Sequence, residues 1–329
     1  MKKYKVVITG KTWPKAYEKL LEECEVKIWE GPNVIPREQL LEWVADAEGL
    51  LSMGHIQVDE QLLEAAPKLR VIAQSGVGYD NVDVKACTKK GIPFSNTPGV
   101  LVEATADLTF GLLLTATRRI HEGWELVKTN QWKEVYGIDL YGKTLGIVGL
   151  GDIGSAVSRR AKACGMNIIY HNRSRREGDE QLGATYVSFD ELLKQSDCIV
   201  CLVPLSNQSR GMFGKEEFKK MKSTAYFINA SRGPNVDQEA LYEALKAGEI
   251  AYAALDVTDP EPLPGDHPLI NLPNILITPH IGSATYETRE RMALLAAENL
   301  LAGLSRRELP TCVNSEVNFR NSQDLTGVN

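Results

Sequence analysis

Residues Lys143–Gly154 read Lys-Thr-Leu-Gly-Ile-Val-Gly-Leu-Gly-Asp-Ile-Gly, and this stretch decides the fold. Leu145–Val148 is an apolar run long enough for one buried strand, and three glycines follow it with the spacing G-x-G-x-x-G. These glycines are Gly149, Gly151 and Gly154. Ser155–Cys164 then has helical composition, and Gly165 is a typical C-terminal stop. A strand, a glycine turn and a helix in this order predict a dinucleotide site, with the pyrophosphate at the helix N-terminus.

The composition is that of a globular protein with room for two domains. The chain has 329 residues, of which 43% are hydrophobic and 24% charged. Its formal net charge of −6 argues against nucleic acid as a partner. The most apolar stretch, Leu108–Thr117, is too short to cross a bilayer, and we find no signal-peptide pattern. We therefore expect a cytoplasmic protein without a membrane partner.

The six cysteines are scattered and suggest no disulfide framework. Cys198 and Cys201 form a C-x-x-C pattern, but it lies in the apolar run Asp197–Val203, which predicts a buried strand. Residues three apart on a strand point to opposite faces. We therefore expect neither a metal site nor redox chemistry there.

Short apolar runs alternate with helical stretches in two series, which predicts two parallel sheets covered by helices. Breaks at Pro98-Gly99 and Gly282-Ser283 suggest that the second sheet is inserted into the first domain. We expect an α/β fold with two Rossmann-like doubly wound domains, the first of them flavodoxin-like. The predicted ranges are 1–98 with 286–317 for the substrate domain, 99–285 for the dinucleotide-binding domain, and 318–329 for a polar tail.

Three polar residues, Arg232, Glu261 and His280, follow the last three strand candidates of the second series. Those candidates are Ala225–Asn229, Ala253–Asp256 and Ile275–Ile277. Ligands of open α/β sheets bind outside the carboxyl ends of the strands. The three side chains are therefore expected on the edge that meets the glycine turn.

The types of these residues fit one reaction. The guanidinium of Arg232 suits a carboxylate and can polarise a carbonyl, and His280 can pass a proton near neutral pH. Glu261 beside it would orient the imidazole and stabilise its charged form. Hydride from a nicotinamide plus a proton from His280 would reduce a 2-keto acid. Singly, each residue also has a structural interpretation, as a surface charge or a satisfied histidine.

The residues after the second strand of the second series bear on whether the cofactor is NADPH or NADH. NAD-specific sheets place Asp or Glu about 20 residues after the glycines, on the ribose 2′-hydroxyl. Here the strand Asn167–His171 is followed by Asn172-Arg173-Ser174-Arg175-Arg176. Arg173, Ser174 and either Arg175 or Arg176 could receive a 2′-phosphate, which predicts NADPH, with NADH as the weaker alternative. A solvated basic loop is the other interpretation.

Four stretches together resemble the D-isomer-specific 2-hydroxyacid dehydrogenase family. They are Gly-Leu-Gly-Asp-Ile-Gly (149–154), Asn-Ala-Ser-Arg-Gly (229–233), Asp-Val-Thr-Asp-Pro-Glu-Pro-Leu-Pro (256–264) and Thr-Pro-His-Ile-Gly-Ser-Ala-Thr (278–285). The chain is most similar to the branch of glyoxylate/hydroxypyruvate reductases and 2-ketogluconate reductases (gluconate 2-dehydrogenases). The resemblance runs from about residue 45 to residue 317.

The resemblance implies roles for individual residues, and we expect no metal. Arg232 would bind the substrate, and Glu261 and His280 would form the proton relay. The implied substrate contacts are Val77, Gly78 and Ser283. The implied cofactor contacts are Leu150, Gly151, Asp152, Ile153, Pro204, Ala230, Ser231, Arg232, Asp256, His280, Ile281 and Gly282. The segment Gln131–Ile138 is shorter than usual in this branch, which puts any contribution of it to a neighbouring subunit's pocket in doubt.

The helix predicted over Leu101–Arg119 is apolar on nearly every side, which indicates burial between layers or in a subunit interface. We expect a homodimer through this region. The alternative to an enzyme is a nucleotide-sensing binding protein, like the corepressors that share the fold. The intact set of Arg232, Glu261 and His280 favours the enzyme.

Overall fold

The computed structural model describes residues 3–32, 34–54 and 56–317. The chain divides into two units, one running to Leu101 and resuming at Thr285, the other spanning Val102–Ala284. The sequence predicts these junctions at 98/99 and 285/286. The predicted polar tail, 318–329, lies outside the described residues.

The first unit is built on a sheet of five parallel strands, counted in the described part of the chain. Its elements in chain order are β1 (Tyr4–Ile8), α1 (Pro14–Glu23), β2 (Cys24–Ile28), α2 (Arg37–Val44), β3 (Gly49–Ser52), α3 (Glu60–Ala65), β4 (Val71–Gln74), α4 (Val84–Lys89) and β5 (Phe94–Ser95). The strand order is β2-β1-β3-β4-β5, which is the flavodoxin-like order. The predicted fold of this unit is confirmed.

The second unit carries seven parallel strands among the described residues. Its elements are α5 (Val102–Thr117), α6 (Ile120–Lys128), β6 (Thr144–Val148), α7 (Asp152–Ala163), β7 (Asn167–His171), β8 (Ala184–Tyr186), α8 (Phe189–Gln195), β9 (Cys198–Cys201), α9 (Lys215–Lys220), β10 (Tyr226–Asn229), α10 (Gln238–Ala247), β11 (Tyr252–Leu255) and β12 (Ile275–Ile277). The order β12-β11-β10-β9-β6-β7-β8 is that of a dinucleotide-binding sheet with one strand added at its edge.

Helix α11 (Tyr286–Leu304) returns the chain to the first unit. It has 19 residues, and Thr285 caps its N-terminus by accepting from the Thr288 N–H. The small residues Ala293 and Ala297 and the larger Leu300 pack in one apolar cluster with side chains of β1, β3 and β4. The first unit thus draws part of its core from the end of the described chain.

Cys198 and Cys201 lie in β9 as predicted, and both are fully buried. Cys198 belongs to the apolar cluster with α5 and α7, and Cys201 to the cluster on the other face, with α8, α9 and α10. Burial raises the pKa of each thiol to about 12. The prediction of a structural strand is confirmed.

The strand ends of the second sheet are level with one another. The residues that end six of its strands pair laterally in the order His171, Val148, Cys201, Asn229, Leu255 and Ile277. Each loop that leaves a strand here therefore starts from the same edge. No helix in the described residues is both long and apolar enough to span a membrane.

Candidate active site

The turn after β6 requires glycine at two positions. Gly149 has a φ of 101°, in the left-handed region, and a Cβ there would lie 2.7 Å from the backbone of Leu202. A Cβ at Gly154 would lie 2.4 Å from the carbonyl oxygen of Gly149. The first and third glycines of the motif thus hold a tight turn with the helix packed against it.

The N-terminus of α7 is suited to an anion. The N-cap Gly151 has no side chain to accept the first N–H groups of this 12-residue helix. Gly151 is exposed, and a Cβ built on it would have no atom within 4 Å, so a ligand can approach the backbone. These features fit the pyrophosphate of a dinucleotide.

The loop after β7 is tied to this turn. Oδ1 of Asn172 accepts the Leu150 N–H at 2.7 Å, while Arg173 and Ser174 are exposed. The sequence allowed Arg175 as an added charge for a 2′-phosphate. Its guanidinium is instead bound to Asp179, with Nε 2.8 Å from Oδ2. Of the two arginines considered, only Arg176 has its guanidinium beside the turn, where it donates to the Leu150 carbonyl at 3.1 Å.

Arg232 is held by a turn that follows β10. The buried Asn229 donates from Nδ2 to the Arg232 carbonyl at 2.9 Å, and its Oδ1 accepts the Ser231 N–H at 3.1 Å. Nη1 of the half-buried Arg232 donates to the Ser231 carbonyl at 2.9 Å. Sequence reasoning missed the role of Asn229, although its place as the last residue of a buried strand was readable.

His280 occupies a strained turn after β12. Its φ is 53°, which few side-chain-bearing residues adopt, and its N–H donates to the Asp256 carbonyl at 2.9 Å. The buried Asp256 carboxylate accepts from the Thr278 hydroxyl at 2.7 Å and from two backbone N–H groups just beyond His280. Asp256 therefore fixes the turn that contains His280 through hydrogen bonds, a role that the sequence did not reveal.

Glu261 and His280 form the expected pair. Oε1 of Glu261 lies 2.5 Å from Nδ1 of His280, and the two side chains are 35% and 36% exposed. With Nδ1 engaged, Nε2 is the ring nitrogen left to exchange a proton with a substrate. This is the arrangement of an oriented acid–base histidine.

The remaining predicted residues occupy loops of both units. In the first unit, Asn96 donates to the Val77 carbonyl at 2.8 Å, and the Gln74 amide donates to the Gly78 carbonyl. In the second unit, Ser283 follows Gly282 directly, and Pro204 and Ala230 lie beyond the ends of β9 and β10. Among the described residues, no group of three His, Cys, Asp or Glu side chains is placed to hold a metal.

The model of the D-isomer specific 2-hydroxyacid dehydrogenase NAD binding domain matches residues 110–282. The glyoxylate reductase of Korarchaeum cryptofilum is 46% identical over 323 residues, which cover 96% of this chain and 97% of that protein. The chain belongs to the D-isomer specific 2-hydroxyacid dehydrogenase family. The resemblance seen in the sequence, including that to the glyoxylate reductase branch, is confirmed.

Solved structures agree with this assignment. A glyoxylate reductase from Paecilomyes thermophila superposes with a TM-score of 0.87 at 36% identity, covering 96% of this dehydrogenase and all of that chain. An NADPH-dependent glyoxylate/hydroxypyruvate reductase from Sinorhizobium meliloti, solved with NADP and malonate, gives 0.85 at 33% identity, with 95% and 97% covered. This 2-hydroxyacid dehydrogenase is a NAD(P)-dependent oxidoreductase acting on CH–OH groups. Membership favours the enzyme over the nucleotide-sensing alternative.

Proposed function

We propose that this dehydrogenase reduces small 2-keto acids, with glyoxylate as the preferred substrate and NADPH as the hydride donor. One observation carries the proposal. Arg232 and the Glu261–His280 pair follow adjacent strands whose ends are level, in the sheet that also carries the glycine turn. The curated relative from Korarchaeum cryptofilum, named a glyoxylate reductase, supports glyoxylate over hydroxypyruvate and 2-ketogluconate.

Different residues of the second unit would bind different parts of the cofactor. Gly149, Gly151 and Gly154, with the N–H groups of α7, would hold the pyrophosphate. Asn172, Arg173 and Ser174 would meet the ribose end. The further proposed contacts are Leu150, Asp152, Ile153, Pro204, Ala230, Ser231, Asp256, Ile281 and Gly282. The bound nicotinamide supplies the hydride that the carbonyl carbon receives.

Residues of the chain bind the charged substrate and supply the proton. Arg232 binds the substrate carboxylate and polarises the carbonyl with its planar fork of donors. His280 gives the proton on Nε2 to the carbonyl oxygen, which becomes the hydroxyl. Glu261 keeps Nδ1 engaged and stabilises the imidazolium before transfer. Val77, Gly78 and Ser283 remain proposed substrate contacts.

The preference for NADPH rests on the loop after β7. No carboxylate occupies 172–176, where an NAD enzyme would carry one for the ribose 2′-hydroxyl. The first acid after this stretch is the exposed Glu177, and the next, Asp179, is engaged by Arg175 and by the Tyr170 hydroxyl. The exposed Arg173 and Ser174 leave a positive, donor-rich surface for a phosphate.

The direct test is a set of initial rates with glyoxylate, hydroxypyruvate and 2-ketogluconate, each paired with NADPH and with NADH. We expect the highest kcat/KM for glyoxylate with NADPH. A failure to oxidise either cofactor with any of the three acids would refute the proposed substrate class. Equal kcat/KM for the two cofactors would refute the preference alone.

We also infer a homodimer, as predicted, but with α6 rather than α5 as the contact surface. Ile120, Trp124 and Val127 lie on one face of α6 and are 56%, 59% and 46% exposed, and none of its nine residues is buried. Light scattering should give twice the chain mass for the wild type. It should give a monomer for Trp124→Lys, and a dimer for the control Tyr286→Lys, which alters an exposed aromatic of the first unit.

A further inference from the structure

A buried carboxylate anchors the loop that follows β7. Asp179 is only 3% exposed, and its Oδ2 accepts from the hydroxyl of the fully buried Tyr170 at 2.7 Å. Arg175 donates to both of its oxygens, at 2.8 Å and 3.1 Å. The Tyr170 hydroxyl in turn accepts the Arg176 N–H at 2.9 Å. A chain of hydrogen bonds thus runs from the buried acid to the backbone of the loop.

The loop has a second set of anchors at the glycine turn. Asn172 accepts the Leu150 N–H, and Arg176 donates to the Leu150 carbonyl. Nη2 of Arg176 also lies 3.6 Å from Oδ1 of Asp152. Of the three residues between Asn172 and Arg176, Arg175 is paired with Asp179, and Arg173 and Ser174 are exposed. The anchored loop therefore presents these two side chains from a fixed backbone.

The same contacts determine which arginines of the loop after β7 are paired with acids. The guanidinium of Arg175 is neutralised by Asp179 and approached by Glu180 at 3.2 Å. The side chain of Arg175 is 59% exposed but engaged by these acids, and its contribution is to hold the loop together. Arg173 is exposed, and Arg176 adds positive charge beside the turn, where its Nη2 lies 3.6 Å from Oδ1 of Asp152.

We propose that Tyr170 and Asp179 are positioning residues that set the discrimination between NADPH and NADH without touching the cofactor. The inference rests on the NADPH preference proposed above. The pyrophosphate would be held by the glycine turn and α7, which these side chains do not build. Loosening the loop should therefore weaken binding only of ligands that carry a 2′-phosphate.

The test is calorimetric titration with adenosine 2′,5′-bisphosphate and with 5′-AMP, which differ only in the 2′-phosphate. We expect Tyr170→Phe and Asp179→Asn to bind the bisphosphate about tenfold more weakly, the usual scale for losing a group that orients a ligand-binding residue. Their affinity for 5′-AMP should stay within about twofold. The control Asp190→Asn removes an exposed acid paired with Lys194 and Lys220, and should change neither ligand.

The possible results distinguish a failure of this inference from a failure of the proposed NADPH preference. An equal loss for both ligands, or no loss for either, in Tyr170→Phe would show that the network is merely structural and would overturn the inference. Tyr170→Phe decides the matter even if Asp179→Asn unfolds, because it leaves the Asp179–Arg175 pair in place. A wild-type protein that binds the two ligands equally would refute the NADPH preference, and the inference would fall with it.

Discussion

Oδ2 of Asp256 accepts the N–H of Gly282 at 2.8 Å, and this bond fixes the chain just after His280, the proposed proton donor. Oδ1 accepts the Ile281 N–H at 2.8 Å and the Thr278 hydroxyl at 2.7 Å. The carboxylate is buried, and that burial raises the pKa of Asp256. The buried Asp256 carboxylate thus holds His280 in a left-handed backbone conformation, although burying an acid is costly.

Replacing Asp256 should therefore damage both the fold and the turnover. Asp256→Ala leaves two backbone N–H groups without their acceptor, which should cost about 1–3 kcal/mol of unfolding free energy. The kcat should fall because His280 loses its fixed position. Thr278→Val, which removes only one donor to the same carboxylate, should cost less on both counts. Urea unfolding and initial rates give the two quantities, and an Asp256→Ala variant with wild-type kcat would contradict the assignment.

Arg232→Ala should abolish useful activity while leaving the fold intact. Losing a charge-assisted pair with the substrate costs about 2–5 kcal/mol in kcat/KM. Arg232→Lys keeps the charge without the planar fork and should recover only part of the loss. Arg159→Ala, which removes an exposed arginine paired with Glu103, serves as the control. Near wild-type kcat/KM in Arg232→Ala would remove this residue from the reaction.

Glu261→Gln should lower the kcat for reduction. The Glu261 carboxylate engages Nδ1 of His280 and so orients the ring that carries the proton on Nε2, and glutamine is an uncharged, weaker partner for Nδ1. Initial rates in both directions measure the loss. Asp266→Asn, which alters an exposed acid of the same segment, should leave both rates unchanged, and wild-type kcat in Glu261→Gln would exclude the relay.

The double variant Asn172→Asp with Arg173→Ala should shift preference toward NADH. Aspartate can still accept the Leu150 N–H, so the loop keeps its anchor while gaining a charge that repels a 2′-phosphate. The penalty against NADPH should be at least about tenfold in kcat/KM. Arg173→Ala alone should weaken NADPH without improving NADH. A double variant with the wild-type ratio of the two kcat/KM values would show that the loop does not select the cofactor.

Asp179 should make stability depend on acid pH. Arg175 and Tyr170 hold the pKa of Asp179 at about 2, below the value of 3.8 for a free aspartate. A lowered pKa contributes stability above the unfolded value, and this contribution is lost as pH falls toward the folded one. The difference in unfolding free energy between wild type and Asp179→Asn should therefore be constant above pH ~4 and shrink between pH ~4 and ~2. Denaturant titrations across this range test it, and a constant difference would contradict it.

The second sheet, and the edge of it at which Arg232, Glu261 and His280 lie, could be predicted because their signals are local. Apolar runs gave the strands of the second sheet to within about two residues, and residues that follow parallel strands must share an edge. The break after α5 could not be predicted. The helix was expected to continue to Arg119, yet it ends at Thr117, and Arg119 turns left-handed with a φ of 51° and no glycine or proline to signal it. Helix α6 was not predicted, although the helical spacing of Ile120, Trp124 and Val127 was an available signal.

The cofactor loop shows a different limit of sequence reasoning. A cluster of positive charges indicates affinity for an anion but not which arginine is available to bind it. Arg175 was a candidate for the phosphate, and the structure pairs it with Asp179. The i, i+4 spacing of these two residues was the available signal. The anchoring by Tyr170 was not visible, because it depends on side chains brought together by the fold.

The return of α11 to the first unit has a consequence for synthesis on the ribosome. The apolar faces of β1, β3 and β4 are covered in part by residues 293–304. That cover is translated between about 220 codons after β4 and about 285 codons after β1. The inserted unit has its own core and can fold as soon as it emerges. We therefore expect the apolar side of β1, β3 and β4 to stay partly uncovered in the nascent first unit for most of translation. Chaperones that bind exposed apolar strands should recognise this surface during that interval.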